Sequence, residues 1–321
     1  MTQTQQTNTS SLALNDLNGA VDNPSQWLVS ALSVKREEGW VESNGAQIHY
    51  FKWGDTTKPG LLLLHGFLAH SRCFAFIAPF LAANYHVVAY DLSGMGDSDA
   101  RDDYPDEVRV NEALDVAEHT GLFDNARKPT LICHSYGGTI GSAAASTHPD
   151  KFAGVIICDL MIIRPETLKK HADKFKSPGN QSRNKPNRVY PDYETAKQRF
   201  VLAPPQKVEH QELFDFMAYH SLKKVEGGWS WKFSPSVYPK SNGSEQRWSK
   251  IGEKIAATPG NVAIIYGSES ILFTLDSEDY IRELTGNSIP LISIPNARHH
   301  LMLDQPIAFV TAIKSVLAMW R

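Results

Sequence analysis

The chain has 321 residues, a formal net charge of −3 and 42% hydrophobic residues. This is globular composition with enough apolar surface for a sizeable core, and its nearly even charge gives no electrostatic ground for a nucleic-acid or membrane-surface partner. Three scattered cysteines, Cys73, Cys133 and Cys158, make no disulfide framework and no metal-ligand spacing, so a reduced, cytoplasmic setting is the simplest expectation.

Residues 1–25 open with a polar stretch rich in Thr, Gln and Asn, without the basic start and apolar run of a signal peptide. A flexible tail is expected there. No run approaches 18 apolar residues, so no membrane span is expected. Residues 26–38 predict a short helix. Ala46–Phe51 alternates as a strand, with Ile48 and Tyr50 on one face. Gly60–Leu64 is a continuous apolar run, which suits a strand buried on both faces of a parallel sheet. A helix at 71–83 precedes a strand at His86–Tyr90, and a helix at 105–120 precedes a strand at Thr130–Cys133. A helix at 137–147 then leads to a strand at Gly154–Cys158, which ends in Asp159.

Strands alternating with helices over short connections predict an α/β fold with a mostly parallel sheet covered on both faces. The rhythm breaks after Asp159. Residues 161–255 hold Pro-containing polar stretches, a basic run from Lys169 to Arg188, and several Trp and Tyr residues. Helices are expected there at 165–176, 190–201 and 206–222. The rhythm resumes with a strand at Asn261–Tyr266, a helix at 276–286, a strand at Ile289–Ile294 and an amphipathic helix at 304–320. The reading is a core of 26–160 and 256–321 that carries a 161–255 insertion.

One junction carries chemistry. A buried strand runs directly into Cys133-His134-Ser135-Tyr136-Gly137-Gly138 and then a helix. A serine on such a sharp strand-to-helix turn needs small neighbours, and its hydroxyl is pushed out at the top of the sheet. The helix N-terminus adds positive potential and free N–H groups beside it. Here the sequence resembles the α/β-hydrolase superfamily and its G-x-S-x-G nucleophile elbow, with Cys133 in place of the first glycine. The resemblance covers about 40–160 and 256–321.

That resemblance implies further roles. His65-Gly66-Phe67 ends the first apolar strand, so the oxyanion hole would be the N–H groups of Phe67 and Tyr136, while the His65 side chain packs the loop. The catalytic histidine precedes an acidic-Gln-Pro helix start by seven residues. Counted from Asp304-Gln305-Pro306 it is His299, with His300 competing, and Arg298 stands where glycine is usual. The acid usually follows the next-to-last strand in a G-x-x-D turn. Here that stretch is Gly267-Ser268-Glu269-Ser270, and serine cannot serve. Asp159, at the end of the strand after the nucleophile strand, is the preferred acid, with Glu269 as the alternative. Asp91-Leu92-Ser93-Gly94-Met95-Gly96-Asp97-Ser98 resembles the family's D-x-x-G-x-G-x-S loop and reads as a structural turn rather than a phosphate cradle. The 161–255 segment resembles a helical cap, in which Trp229 and Trp231 are substrate-pocket candidates.

The resemblance implies a serine hydrolase cleaving carboxylic esters of a small-molecule substrate through an acyl-enzyme, with no metal or organic cofactor. A hydrolase of carbon–carbon or amide bonds on the same triad is one rival. A non-catalytic relative that binds a small ligand is another. Composition leaves a homodimer open.

Overall fold

The computed structural model describes residues 16–170, 185–239 and 248–320. Four short runs set its architecture: β3 (Gly60–Leu64), β4 (His86–Tyr90), β5 (Thr130–His134) and β6 (Gly154–Cys158) are buried at every position. Strands buried on both faces must be covered by helices twice. Side chains alternate accordingly. Leu61, Leu63, Ile132 and Ile156 join one apolar cluster, while Leu62, Leu64, Leu131 and Val155 join the other.

The sheet has eight strands in the order β1-β2-β4-β3-β5-β6-β9-β10. Here β1 is Arg36–Ser43, β2 Ala46–Trp53, β9 Asn261–Gly267 and β10 Leu291–Ile294. β1 and β2 pair antiparallel, as do β2 and β4, and every other pairing is parallel. Helix α1 (Gln26–Leu32) precedes β1, and the helices between these strands are α2 (Ala78–Ala82), α3 (Asp106–His119) and α4 (Tyr136–Thr147). Among the described residues, no helix is long and apolar enough to cross a membrane.

Three expectations need correction. The helix expected at 26–38 ends at Leu32, and Arg36–Ser43 is an edge strand with a largely exposed pattern. The helix expected at 71–83 is a 3₁₀ turn at Ser71–Phe74 followed by α2, which Pro79 starts afresh. The tail is not free throughout: Asp16, Leu17 and Ala20 are buried, Arg36 pairs with the Asp16 carboxylate, and the Asp16 carbonyl lies 3.0 Å from His220 Nε2. These contacts fix residues 16–20 against the molecule. Residues 1–15 lie outside the described residues.

β6 and β9 are neighbours in the sheet, so the chain between them leaves it and returns. That insert contains α5 (Pro165–Lys170), α6 (Tyr193–Lys197), α7 (Gln211–His220), the hairpin β7 (Leu222–Val225) and β8 (Gly228–Trp231), and α8 (Ile251–Ala256). The helix expected at 190–201 is confined to α6, and the hairpin falls where no strand was expected. The rest of the expected 165–176 helix and most of the basic run lie outside the described residues. α9 (Leu275–Thr285), α10 (Leu301–Asp304) and α11 (Pro306–Met319) complete the chain.

Candidate active site

β5 delivers Ser135 into the turn before α4. Its backbone sits at φ 51° and ψ −121°, a conformation that costs a non-glycine residue about 1–3 kcal/mol. The surroundings enforce it. Ser135 N–H donates to the Cys158 carbonyl at 2.8 Å, and Gly138 N–H donates back to the Ser135 carbonyl at 2.7 Å. A Cβ on Gly137 would lie 2.6 Å from the Leu64 carbonyl oxygen, so α4 packs against β3 only because that residue is glycine. Gly66 also approaches: a Cβ there would lie 3.2 Å from Ser135 Cβ. The turn after β3 therefore borders the serine, and it carries Phe67, whose ring meets that of Tyr136 at 5.9 Å.

The departure at Cys133 has a local answer. The side chain points at α4, where a Cβ on Gly141 would overlap Cys133 Sγ. The missing glycine in the turn is compensated by a glycine on the helix.

His299 is buried, and its Nδ1 lies 2.9 Å from Asp159 Oδ1. Asp159 is itself buried, at φ 50°, with its N–H donating to the Ile265 carbonyl. Its second oxygen accepts from Gly267 N–H at 2.8 Å. Its first also accepts from Ser270 Oγ at 2.6 Å. Ser270, where an acid was sought, thus supplies a hydrogen bond to Asp159, and its own oxygen accepts from Leu272 and Phe273 N–H. Residue type alone gave no sign of this role; a small hydroxyl facing a carboxylate on the adjacent strand is visible only once β6 and β9 are neighbours.

Glu269 does not bond His299; its N–H donates to the Ala297 carbonyl. It is exposed and pairs with Arg298 at 2.7 Å. Arg298 spends its other nitrogen on Glu209 of the insert at 2.8 Å. His134 donates Nε2–H to the His299 carbonyl at 2.9 Å, which fastens the histidine loop to the residue before the serine. Burial, and then His299 beside it, lower His134 to about 3. His65 accepts from Leu92 N–H at 3.0 Å and bonds its own neighbour's carbonyl, Gly66, at 2.7 Å, which is loop packing. Asp91 accepts from Asp97 N–H of its own loop and from Ser71 N–H of the 3₁₀ turn after β3.

A cavity of about 320 Å³ between core and insert reaches His134 and His300, the neighbours of Ser135 and His299, which are not themselves among its walls. Phe67, His134, Phe200, Met217, Trp231 and Met302 are among its walls. Trp231 is therefore at the pocket. Trp229 is not among its walls; it stacks on Tyr193 at 5.5 Å and packs the insert's own small core.

A family model described as "Alpha/beta hydrolase family" matches residues 61–313. Among curated proteins, 130 residues are 29% identical to epoxide hydrolase 3 of Xenopus tropicalis, covering 39% of this chain and 34% of that protein. A further match, 29% over 160 residues, is to a monoacylglycerol lipase of Xenopus laevis, covering 45% of this chain and 47% of the lipase. The chain thus spans about a third to a half of the length of these relatives. Among solved structures, an esterase from Mycobacterium tuberculosis has a TM-score of 0.68 at 17% identity, covering 98% of this chain and 100% of that one. At that identity the likeness speaks to fold alone.

Proposed function

Because the chain belongs to the alpha/beta hydrolase family, we propose that it cleaves carboxylic esters, with Ser135 as nucleophile, His299 as base and Asp159 as the acid that holds the base. The carrying observation is the 2.9 Å bond from His299 to a buried Asp159, in a loop tied to residue 134 beside the strained serine. An imidazole that gives its Nδ1 proton to a carboxylate keeps a lone pair on Nε2. That nitrogen takes the Ser135 proton as Oγ attacks the ester carbonyl. The N–H groups of Phe67 and Tyr136 receive the oxyanion. The alcohol leaves with the proton from His299. Water, deprotonated by His299, then attacks the acyl ester, releasing the acid and restoring Ser135. The 161–255 insert acts as the cap over this chemistry.

The relatives include enzymes named for epoxides and for acylglycerols. The nucleophile favours the acyl substrate. A serine oxygen that opened an epoxide would be left as an ether, which histidine-activated water does not cleave. A serine oxygen that attacks a carbonyl becomes an ester, which it does.

Ser135→Ala should lower hydrolysis of short aryl esters by about 10³-fold or more and abolish labelling by a fluorophosphonate. Undiminished turnover in that variant sinks the scheme. Asp159→Asn should cost about 10⁴-fold in kcat, since the imidazole loses its enforced tautomer. Glu269→Gln should leave kcat close to wild type, and a collapse there instead would return the acid to Glu269.

A further inference from the structure

The 91–98 loop has no part in the mechanism, yet it touches the turn after β3 at two points. Leu92 N–H donates to His65 Nε2 at 3.0 Å. The Met95 sulfur accepts from Leu68 N–H at 3.1 Å. Met95 is fully buried in one of the two apolar clusters, and its own N–H donates to the Leu92 carbonyl at 2.9 Å. The insert presses on the same loop, where Ser234 N–H donates to the Gly94 carbonyl at 2.7 Å. The sulfur is therefore fixed from several sides.

It holds a turn in a shape that the sequence disfavours. Ala69 N–H donates to the Gly66 carbonyl at 3.2 Å, which makes Phe67 and Leu68 the two central residues of a β-turn. Leu68 has φ 59°, while Phe67 is not among the residues at positive φ. A negative φ followed by a positive one is the type II pattern, whose third position suits glycine or asparagine. Leucine is disfavoured there. With Leu68 at negative φ the turn would be type I, and the peptide between Phe67 and Leu68 would turn over. The Phe67 carbonyl oxygen would then face the sulfur where Leu68 N–H does now. A thioether accepts a hydrogen bond weakly, but it offers a carbonyl oxygen nothing.

The consequence falls on the oxyanion donors. Of the three N–H groups at 67–69, that of Ala69 goes to Gly66 and that of Leu68 to Met95, while that of Phe67 donates to no described group. The turn also borders the serine, since a Cβ on Gly66 would lie 3.2 Å from Ser135 Cβ. We propose that Met95 is a positioning residue: its sulfur locks the 66–69 turn in the type II form and so holds the Phe67 N–H ready for the oxyanion. This rests on the ester-hydrolase reading and adds to it the residue that pre-organises a donor. Donors fixed before the reaction cost no reorganisation when charge develops. A turn that alternates between two peptide orientations does.

Met95→Leu keeps the volume and removes the acceptor. It should lower kcat for 4-nitrophenyl butyrate about 10-fold, short of the roughly 10²–10³-fold that loss of a whole donor costs, and leave KM close to wild type. The inhibition constant of an alkyl trifluoromethyl ketone, whose adduct with Ser135 carries the oxyanion, should rise by the same factor. Glycine takes positive φ without penalty, so Met95→Leu/Leu68→Gly should stay within about 2-fold of Leu68→Gly alone in kcat. That pair also decides the matter should Met95→Leu by itself not fold, which thermal unfolding shows. An unchanged kcat in Met95→Leu, a loss confined to KM, or a fall of about 10-fold from Leu68→Gly to the double variant overturns the proposal while leaving ester hydrolysis intact. Amide exchange followed by NMR reads the turn without turnover. Leu68 N–H should be protected in the wild type and should lose that protection about 10-fold in Met95→Leu. If no ester is turned over, the hydrolase reading has failed, and equal protection of Leu68 in the two proteins would still show that the sulfur does not hold the turn.

Discussion

Cys133 stands where a smaller residue was expected, and the space it needs comes from a residue eight positions further on. Gly141 would be a poor choice for the middle of a helix on propensity alone, by about 1 kcal/mol against alanine. It is retained against that penalty because a Cβ there would overlap Cys133 Sγ. Gly141→Ala should therefore destabilise by about 1–3 kcal/mol through overpacking. In a Cys133→Gly background the same change should become neutral or stabilising, by up to about 1 kcal/mol. A double-mutant cycle in urea measures this, and simple additivity of the two changes would show that the pair does not share space. The proposed serine and histidine were nominated because each sits in an ordered local pattern, a strand-turn-helix and a fixed register before Asp304-Gln305-Pro306. Ser270 was legible only as a missing acid. Its bond to Asp159 spans 111 positions of sequence and depends on strand order, which a linear pattern does not carry.

At the level of elements, the strands buried on both faces announced themselves and the edge strand did not. β1 carries Glu37, Glu38 and Glu42 with little apolar alternation, so its signal lies in what it pairs with rather than in its own sequence. Part of its attachment is electrostatic. His49 on β2 sits between Asp91 after β4, 2.8 Å from Nδ1, and Glu38 on β1, 2.8 Å from Nε2. Burial opposes the charge on His49, but the bonds to the two carboxylates outweigh it and raise the ring to about 9. Burial likewise opposes charge on Asp91, which the same bond holds well below the usual carboxylate range. The folded histidine therefore keeps a proton that the unfolded one, at 6.5, gives up. Its contribution is complete below pH 6.5 and is lost as pH rises to about 9, because across that window the native state binds the extra proton. The loss should approach about 1.4 kcal/mol per pH unit. Denaturant melts from pH 6 to 9.5 should show that decline in the wild type and a shallower one in His49→Gln. Parallel curves would mean that His49 is neutral in the folded protein.

Across the whole molecule, the sheet was more readable than the inside of the insert, where α5 and α7 fall within expected helices but the hairpin was not foreseen, for a physical reason. A parallel strand is specified by its own apolar run, whereas α6 and the β7–β8 hairpin are held by rings from one another, as Tyr193 and Trp229 show, and have little periodicity of their own. The insert is fastened to the histidine loop by polar contacts. Gln206 is the centre of one such latch. Its Nε2 donates to both oxygens of Asp304, at 2.9 and 3.0 Å, and its Oε1 accepts from His300 N–H at 3.1 Å. Asp304 also accepts from Arg298 N–H at 2.7 Å, so one carboxylate holds the insert and the turn that presents His299. Burial raises the Asp304 carboxyl despite these donors, which means that removing a donor strands a charge that is already costly. Gln206→Leu should lower stability by about 1–3 kcal/mol and reduce kcat, since the histidine loop loses a support. Gln206→Glu separates charge from shape. It sets a second carboxylate against Asp304, which should raise that residue's pKa further. The carboxyl is then higher folded than unfolded, so the penalty appears as pH rises above about 4 and grows through the folded value. Relative to wild type, Gln206→Glu should be weakest near pH 7 and should recover as pH falls towards about 4, where the two carboxyls can share a proton and again donate across the gap. Unfolding midpoints of the two proteins over that range decide it. A stability difference that does not change with pH would place Gln206 outside the latch and leave the insert held by Arg298 and Glu209.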